Sequence, residues 1–92
     1  MKNVTVVKVG GALLEKPEVA AVKIREQGTE GLVVVHGGGV QITRMLDRMS
    51  VKPQFIEGLR VTDETTLAAV AAALLGEVHT ALVCALQRVG IA

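Results

Sequence analysis

The sequence has no tryptophan, no tyrosine and a single phenylalanine, Phe55. It therefore lacks the aromatic platforms on which nucleobases stack. Its net charge of +1 leaves no basic excess to form a phosphate-binding stripe. Nucleic acid is not an expected partner. Cys84 is the only cysteine, which excludes an internal disulfide and a CxxC metal pair, and only His36 and His79 could add imidazole. No protein-held metal is expected. The N-terminus carries Lys2 but no apolar core with a small-residue cleavage site, so no secretory signal is read. The longest apolar run, 67–75, is alanine-rich and too short to cross a bilayer. A membrane is not expected as a partner, and the cytoplasm is the expected location. Neither a GxxxxGK[ST] loop nor a GxGxxG fingerprint is present, which disfavours P-loop and dinucleotide sites.

What is present is aliphatic. Half of the 92 residues are hydrophobic and the mean hydropathy is +0.48. This length makes one domain or part of one, with a thin core of Val, Leu, Ile and Ala. Such residues suit buried parallel strands and closely packed helices. The surplus of apolar surface points to contact with another subunit or a missing half.

Two glycine turns organise the chain. Val4 to Val9 is nearly all β-branched, broken by Lys8, and reads as a strand buried on both faces that ends at Gly10-Gly11. A second buried strand, Leu32 to Val35, runs through His36 into Gly37-Gly38-Gly39. A helix follows at once, with Ile42, Met45, Leu46 and Met49 on its apolar face. A strand entering a helix through glycine makes an anion site, because the first helical N–H groups lack partners and glycine admits a ligand to the backbone. Between the strands, Pro17 opens a short helix whose apolar face is Val19 and Val22 with Ala21 and Ile24, stopped by Gly28. Strand–helix–strand–helix order implies a parallel sheet with a right-handed crossover.

Beyond Pro53, 54–56 and 59–62 read as a hairpin turning at Glu57-Gly58. Thr62 or Asp63 caps a further helix with an apolar face of Leu67, Val70, Ala71, Leu74, Leu75 and Val78, and Gly76 marks a kink or a stop. Val78, Leu82, Val83, Leu86 and Val89 continue a helical pattern to Gly90. The segment 90–92 reads as the entry to another strand.

Three stretches in order, Val6-Val7-Lys8-Val9-Gly10-Gly11, Val34-Val35-His36-Gly37-Gly38-Gly39 and Gly58-Leu59-Arg60-Val61-Thr62, resemble the amino acid kinase family. Ala73-Leu74-Leu75-Gly76-Glu77-Val78 agrees as well. The resemblance covers the whole chain but matches the N-terminal part of the family. It implies an α/β fold: the N-terminal part of a three-layer αβα sandwich with a mostly parallel sheet, plus a short hairpin. Residues 1–92 would be one partial domain, the substrate-binding lobe, without the C-terminal nucleotide-binding lobe. The implied cofactor is ATP with Mg2+, and the implied partners are an acidic small molecule and a second copy of the chain. The Arg60 context is most similar to members that phosphorylate the side-chain carboxylate of N-acetylglutamate in arginine biosynthesis. Aminoadipate-type, carbamate and aspartate kinases, or a non-catalytic dimerising or ligand-binding fragment, are the alternatives.

By that resemblance Lys8 is catalytic, stabilising negative charge on the transferred phosphoryl group; the alternative is a lysine reaching solvent from a strand. Gly10 and Gly11 bind phosphate through backbone N–H groups, or form a plain turn. Gly38 and Gly39 bind substrate, or form a tight turn. His-Gly-Gly-Gly also occurs as an esterase oxyanion loop, but that reading needs a GxSxG elbow, which is absent. Arg60 grips the substrate α-carboxylate, or pairs with Asp63 or Glu64 on the surface. His36 reads as a structural hydrogen-bonding residue rather than a base, since a carboxylate nucleophile needs no deprotonation at neutral pH.

Overall fold

The computed structural model describes residues 3–28 and 30–91. Strand β1 (Thr5–Val9) leads into a four-residue helix α1 (Gly11–Leu14) and then α2 (Pro17–Arg25). Strand β2 (Leu32–His36) follows and pairs with β1 in parallel, from Thr5 opposite Leu32 to Val9 opposite His36. Helix α3 (Gly39–Arg48) leaves β2 through the glycines. A separate antiparallel hairpin, β3 (Phe55–Ile56) and β4 (Leu59–Arg60), turns at Glu57 (φ 50°) and Gly58 (φ 80°). Two successive positive φ values match the twist of a two-residue hairpin, and glycine takes the second at no steric cost. Helix α4 (Glu64–Ala71) passes through a π-helical segment (Ala72–Val78) into α5 (His79–Arg88).

The architecture is α/β, as the sequence implies, but the sheet is covered differently. Val7, Val9, Leu32 and Val34 face a core of Leu14, Ala20, Ile24, Val78 and Leu82. The alternate residues Val4, Val6, Lys8, Val33 and Val35 are exposed. The expectation of strands buried on both faces is therefore corrected. The described helices cover one face only, and β-branched composition cannot count the layers that cover a sheet.

A second core joins α3 to α4, built from Ile42, Leu46, Ala69 and Ala73 with Met45, Val51, Val70 and Leu74 against it. Helix α3 follows the sequence pattern, except that Met49 is exposed. Helix α2 and the long helix bury small residues at places where larger side chains stand outside. Ala20, Ala21 and Ile24 are inside on α2 while Val19 and Val22 are exposed; Thr66 and Ala69 on α4 and Ala73 in the π-helical segment are inside while Leu67 and Leu75 are exposed. Small residues let the helix backbones approach, and a reading weighted by hydrophobicity favours the larger ones.

Gly76 does not end the helix, which continues over Glu64–Arg88, 25 residues, with Gly76 inside its π-helical segment. By length and composition alone that helix could cross a membrane, which corrects the length inferred from the 67–75 run. The same properties serve a helix packed within a protein, and this one carries α2 and α3 on its flanks. At its end Gly90 N–H donates to Gln87 O and Ile91 N–H to Leu86 O, closing the helix with Ile91 against the first core. Ile91 thus closes the helix, and Ala92 lies outside the described residues.

Leu46 is 0% exposed and Leu75 is 71% exposed. Leu46→Ala is expected to cost about 2–5 kcal/mol and Leu75→Ala under about 0.5 kcal/mol, measured by urea unfolding at dilute concentration. Equal costs would contradict the assigned faces. Asp63 caps α4 by accepting a hydrogen bond from Thr66 N–H at 2.8 Å, and that bond holds its carboxyl below the usual range. The stabilisation is complete above the ordinary value of about 3.9 and is lost as pH falls through the depressed native value. Asp63→Ala is expected to lower the urea midpoint at neutral pH, and its gap from the parent is expected to narrow as the pH falls below about 3.9.

Candidate functional site

Parallel pairing places the carboxyl ends of β1 and β2 at one edge of the sheet, so both glycine turns open there. They touch. A side chain on Gly11 would meet Val40 Cγ2 at 3.6 Å, and Gln41 Nε2 donates to Gly11 O at 3.5 Å. Gly38 adopts φ 154° as the N-cap of α3. That conformation is what requires glycine here; a Cβ would also meet the tip of the Leu74 side chain, Cδ2, at 2.6 Å, which could swing aside. The first amides of α3 have no carbonyl partners within the helix and carry its positive dipole end.

Arg60 comes from the hairpin to the same helix start. Its Nη2 donates to Thr43 Oγ1 at 3.2 Å and to Gly39 O at 3.4 Å, and its guanidinium lies 4.8 Å from the centroid of the Phe55 ring. It pairs with neither Asp63 nor Glu64, so the surface-pair alternative is not realised. Its Nη1 is buried without an acceptor. Gly39, Val40, Thr43, Phe55 and Arg60 line an open cavity of about 440 Å³. A guanidinium lining a cavity with Val40 and Phe55 suits an anion that carries a small apolar group.

The sequence-predicted residues therefore divide. Gly39 and Arg60 share the cavity, and Gly38 lies buried beside it. Gly11 adjoins it through Val40, and Gly10 is the residue before. Lys8 stands one residue before the end of β1, opposite Val35, exposed on the uncovered sheet face and without an ion pair among the described residues. Its ammonium is thus available to an anion at that edge.

Sequence reasoning missed three contributors. Thr43 lies one helical turn beyond Gly39, a spacing that could have marked it. Gln41 was read only as part of a helix. The third is His79, whose Nδ1 lies 3.2 Å from His36 Nε2. His36 Nδ1 lies 3.1 Å from Gly37 O. A carbonyl can only accept, so His36 Nδ1 carries the proton; in the neutral ring its Nε2 then accepts from His79 Nδ1–H. The pair ties the glycine turn to the start of α5, and it confirms His36 as a hydrogen-bonding residue. Forty-three positions separate the two histidines, and no sequence pattern links them.

Arg60→Lys keeps the charge but loses the planar fork. It is expected to abolish the Arg60–Thr43 contact and loosen the hairpin, read as faster amide exchange at the β3–β4 pair with the β1–β2 amides unchanged.

The sequence profile of the amino acid kinase family matches residues 3–92. The chain is 43% identical over 94 residues to an acetylglutamate kinase of Brevibacillus brevis, covering 98% of this chain and 35% of that protein. It is 44% identical over 91 residues to one of Acidobacterium capsulatum, covering 92% and 35%. It is also similar to a crystal structure of smu.665 from Streptococcus mutans UA159, with a TM-score of 0.81 and 32% identity over all of this chain and 39% of that one. The chain thus spans about a third of the length of the curated relatives it matches. With its strand order, its paired glycine turns and its arginine-bearing hairpin, this chain belongs to the amino acid kinase family.

Proposed function

We propose that the chain is the substrate-binding part of an acetylglutamate kinase-like phosphotransferase, which moves the γ-phosphoryl group of ATP to the side-chain carboxylate of N-acetyl-L-glutamate in arginine biosynthesis. The observation that carries this is the convergence of the Arg60 guanidinium and the first turn of α3 on one open cavity. An α-carboxylate is the anion the guanidinium would take there, and Val40 and Phe55 receive the acetyl group. The amides at Gly38 and Gly39 then face the reacting carboxylate.

Lys8 and the amides after Gly10 stand at the neighbouring strand end, where negative charge on a transferred phosphoryl group needs a partner. Transfer of this kind depends on placement and electrostatics more than on covalent help from the protein. ATP with Mg2+ supplies the phosphoryl group when bound. No three His, Cys, Asp or Glu side chains converge among the described residues. The glycine-turn amides and Lys8 would meet the transferred phosphoryl group, and by likeness to the family most of the nucleotide would be held by residues that this sequence does not include. The exposed Leu67 and Leu75 beside alanines on the long helix fit self-association of two copies. A bacterial biosynthetic role fits the cytoplasm.

The second reading is a ligand-binding or assembly fragment without turnover. It is favoured by the exposed Leu67 and Leu75 on the long helix and by the open cavity at Arg60. The two are separated by fusing the chain to the remaining part of a relative and following ADP release. The chain alone is expected to release none. In an active fusion, Lys8→Met is expected to lower kcat by about 10²–10³ with little change in substrate KM. Arg60→Ala is expected to act chiefly through KM for N-acetylglutamate. A fusion in which neither substitution matters would overturn the kinase reading.

A further inference from the structure

Helix α1 is one turn long, too short to hold itself in place. A single side chain from α3 takes hold of both its ends. Gln41 Nε2 donates to Gly11 O at its first residue, 3.5 Å away, and to Oε1 of Glu15 at its C-cap, 3.2 Å away. Arg44, one turn further along α3, grips the same carboxylate from outside, with Nη2 2.7 Å from Oε1 and Nη1 3.2 Å from Oε2.

The orientation of the Gln41 amide is fixed by chemistry. Gly11 O and the Glu15 carboxylate only accept, so the nitrogen must face them and the oxygen must face away. That oxygen abuts the other turn: a Cβ on Gly38 would lie 3.5 Å from it. Gln41 is 7% exposed, and its Oε1 has no donor. A buried amide that leaves its oxygen unsatisfied is held in place by its other contacts.

We propose that Gln41 is a positioning residue that sets the gap between the 10–11 turn and the 37–39 turn, and so the distance over which a phosphoryl group is passed. Its nitrogen anchors the turn beside the phosphate, and its body fills the space up to the turn beside the substrate. The role rests on the phosphotransfer reading above. Glu15 and Arg44 act behind it: the ion pair keeps the carboxylate where Gln41 can reach it.

The test is made on the free chain by NMR, with inorganic phosphate as the probe. In the parent, a nuclear Overhauser contact is expected between Gly11 Hα and a Val40 methyl. Phosphate is expected to shift the Gly11 and Gly39 amides along one binding curve. Gln41→Met keeps the length of the side chain without its polar atoms. It is expected to remove the 11–40 contact and weaken phosphate binding by about tenfold or more, while Val7 and Val34 amides keep their exchange protection. Should Gln41→Met fail to fold, the exposed Glu15 decides. Glu15→Ala is expected to lose the contact, and Glu15→Gln, which keeps a carbonyl for Gln41, is expected to restore it. A contact that survives Gln41→Met, or that Glu15→Ala and Glu15→Gln affect alike, overturns the proposal. A parent chain whose amides ignore phosphate counts against the phosphotransfer reading, and the 11–40 contact still decides the spacing.

Discussion

Parallel pairing of two short strands is the constraint on which the site depends. For β2 to run in the same direction as β1, the chain must return along its whole length, and α1 and α2 are that return path. The consequence is geometric. Both strands end at one edge, both glycine turns open there, and the helices α1 and α3 start side by side. Of the two turns only Gly38 needs a backbone conformation reserved for glycine. Their adjacency gives two sets of backbone amides a common neighbourhood, and the hairpin then has only to bring one guanidinium to it.

The packing that supports this edge is economical. Alanines on α2 and α4 let helices approach closely, and one long helix serves both the core beneath the sheet and the core beside α3. The opposite sheet face, with Val4, Val6, Lys8, Val33 and Val35, is uncovered. Lys8 therefore meets solvent from a row of valines, at the strand end where the glycine turns begin. Parallel sheets are rarely left open in this way, because each crossover brings a helix to cover them.

Much of this was legible in the sequence because it is local. β-branched runs ending in glycine gave the strands, Glu57-Gly58 gave the hairpin turn, and Asp63 gave the cap of α4. The ordered motifs gave the family. Which face of a helix is buried is not local. Val19, Val22, Leu67 and Leu75 look like core residues by hydropathy, yet the partner helices seat against alanine rows. The site was legible to the same extent. Gly39 and Arg60 could be paired through the resemblance, whereas the Gln41–Glu15 and His36–His79 contacts join residues 26 and 43 positions apart. Only the folded chain brings those together.

The π-helical segment has a further effect. Along the long helix the buried positions step from Thr66 to Ala69 to Ala73, then by five to Val78, then to Leu82 and Ala85. That single wide step re-phases the helix, so that its first half meets one core and its second half the other. The two clusters thereby share one rod, so that loosening either disturbs the seat of the other. A protein this small would then be expected to come apart in one cooperative event, with the glycine turns losing their shape at the same moment as the sheet.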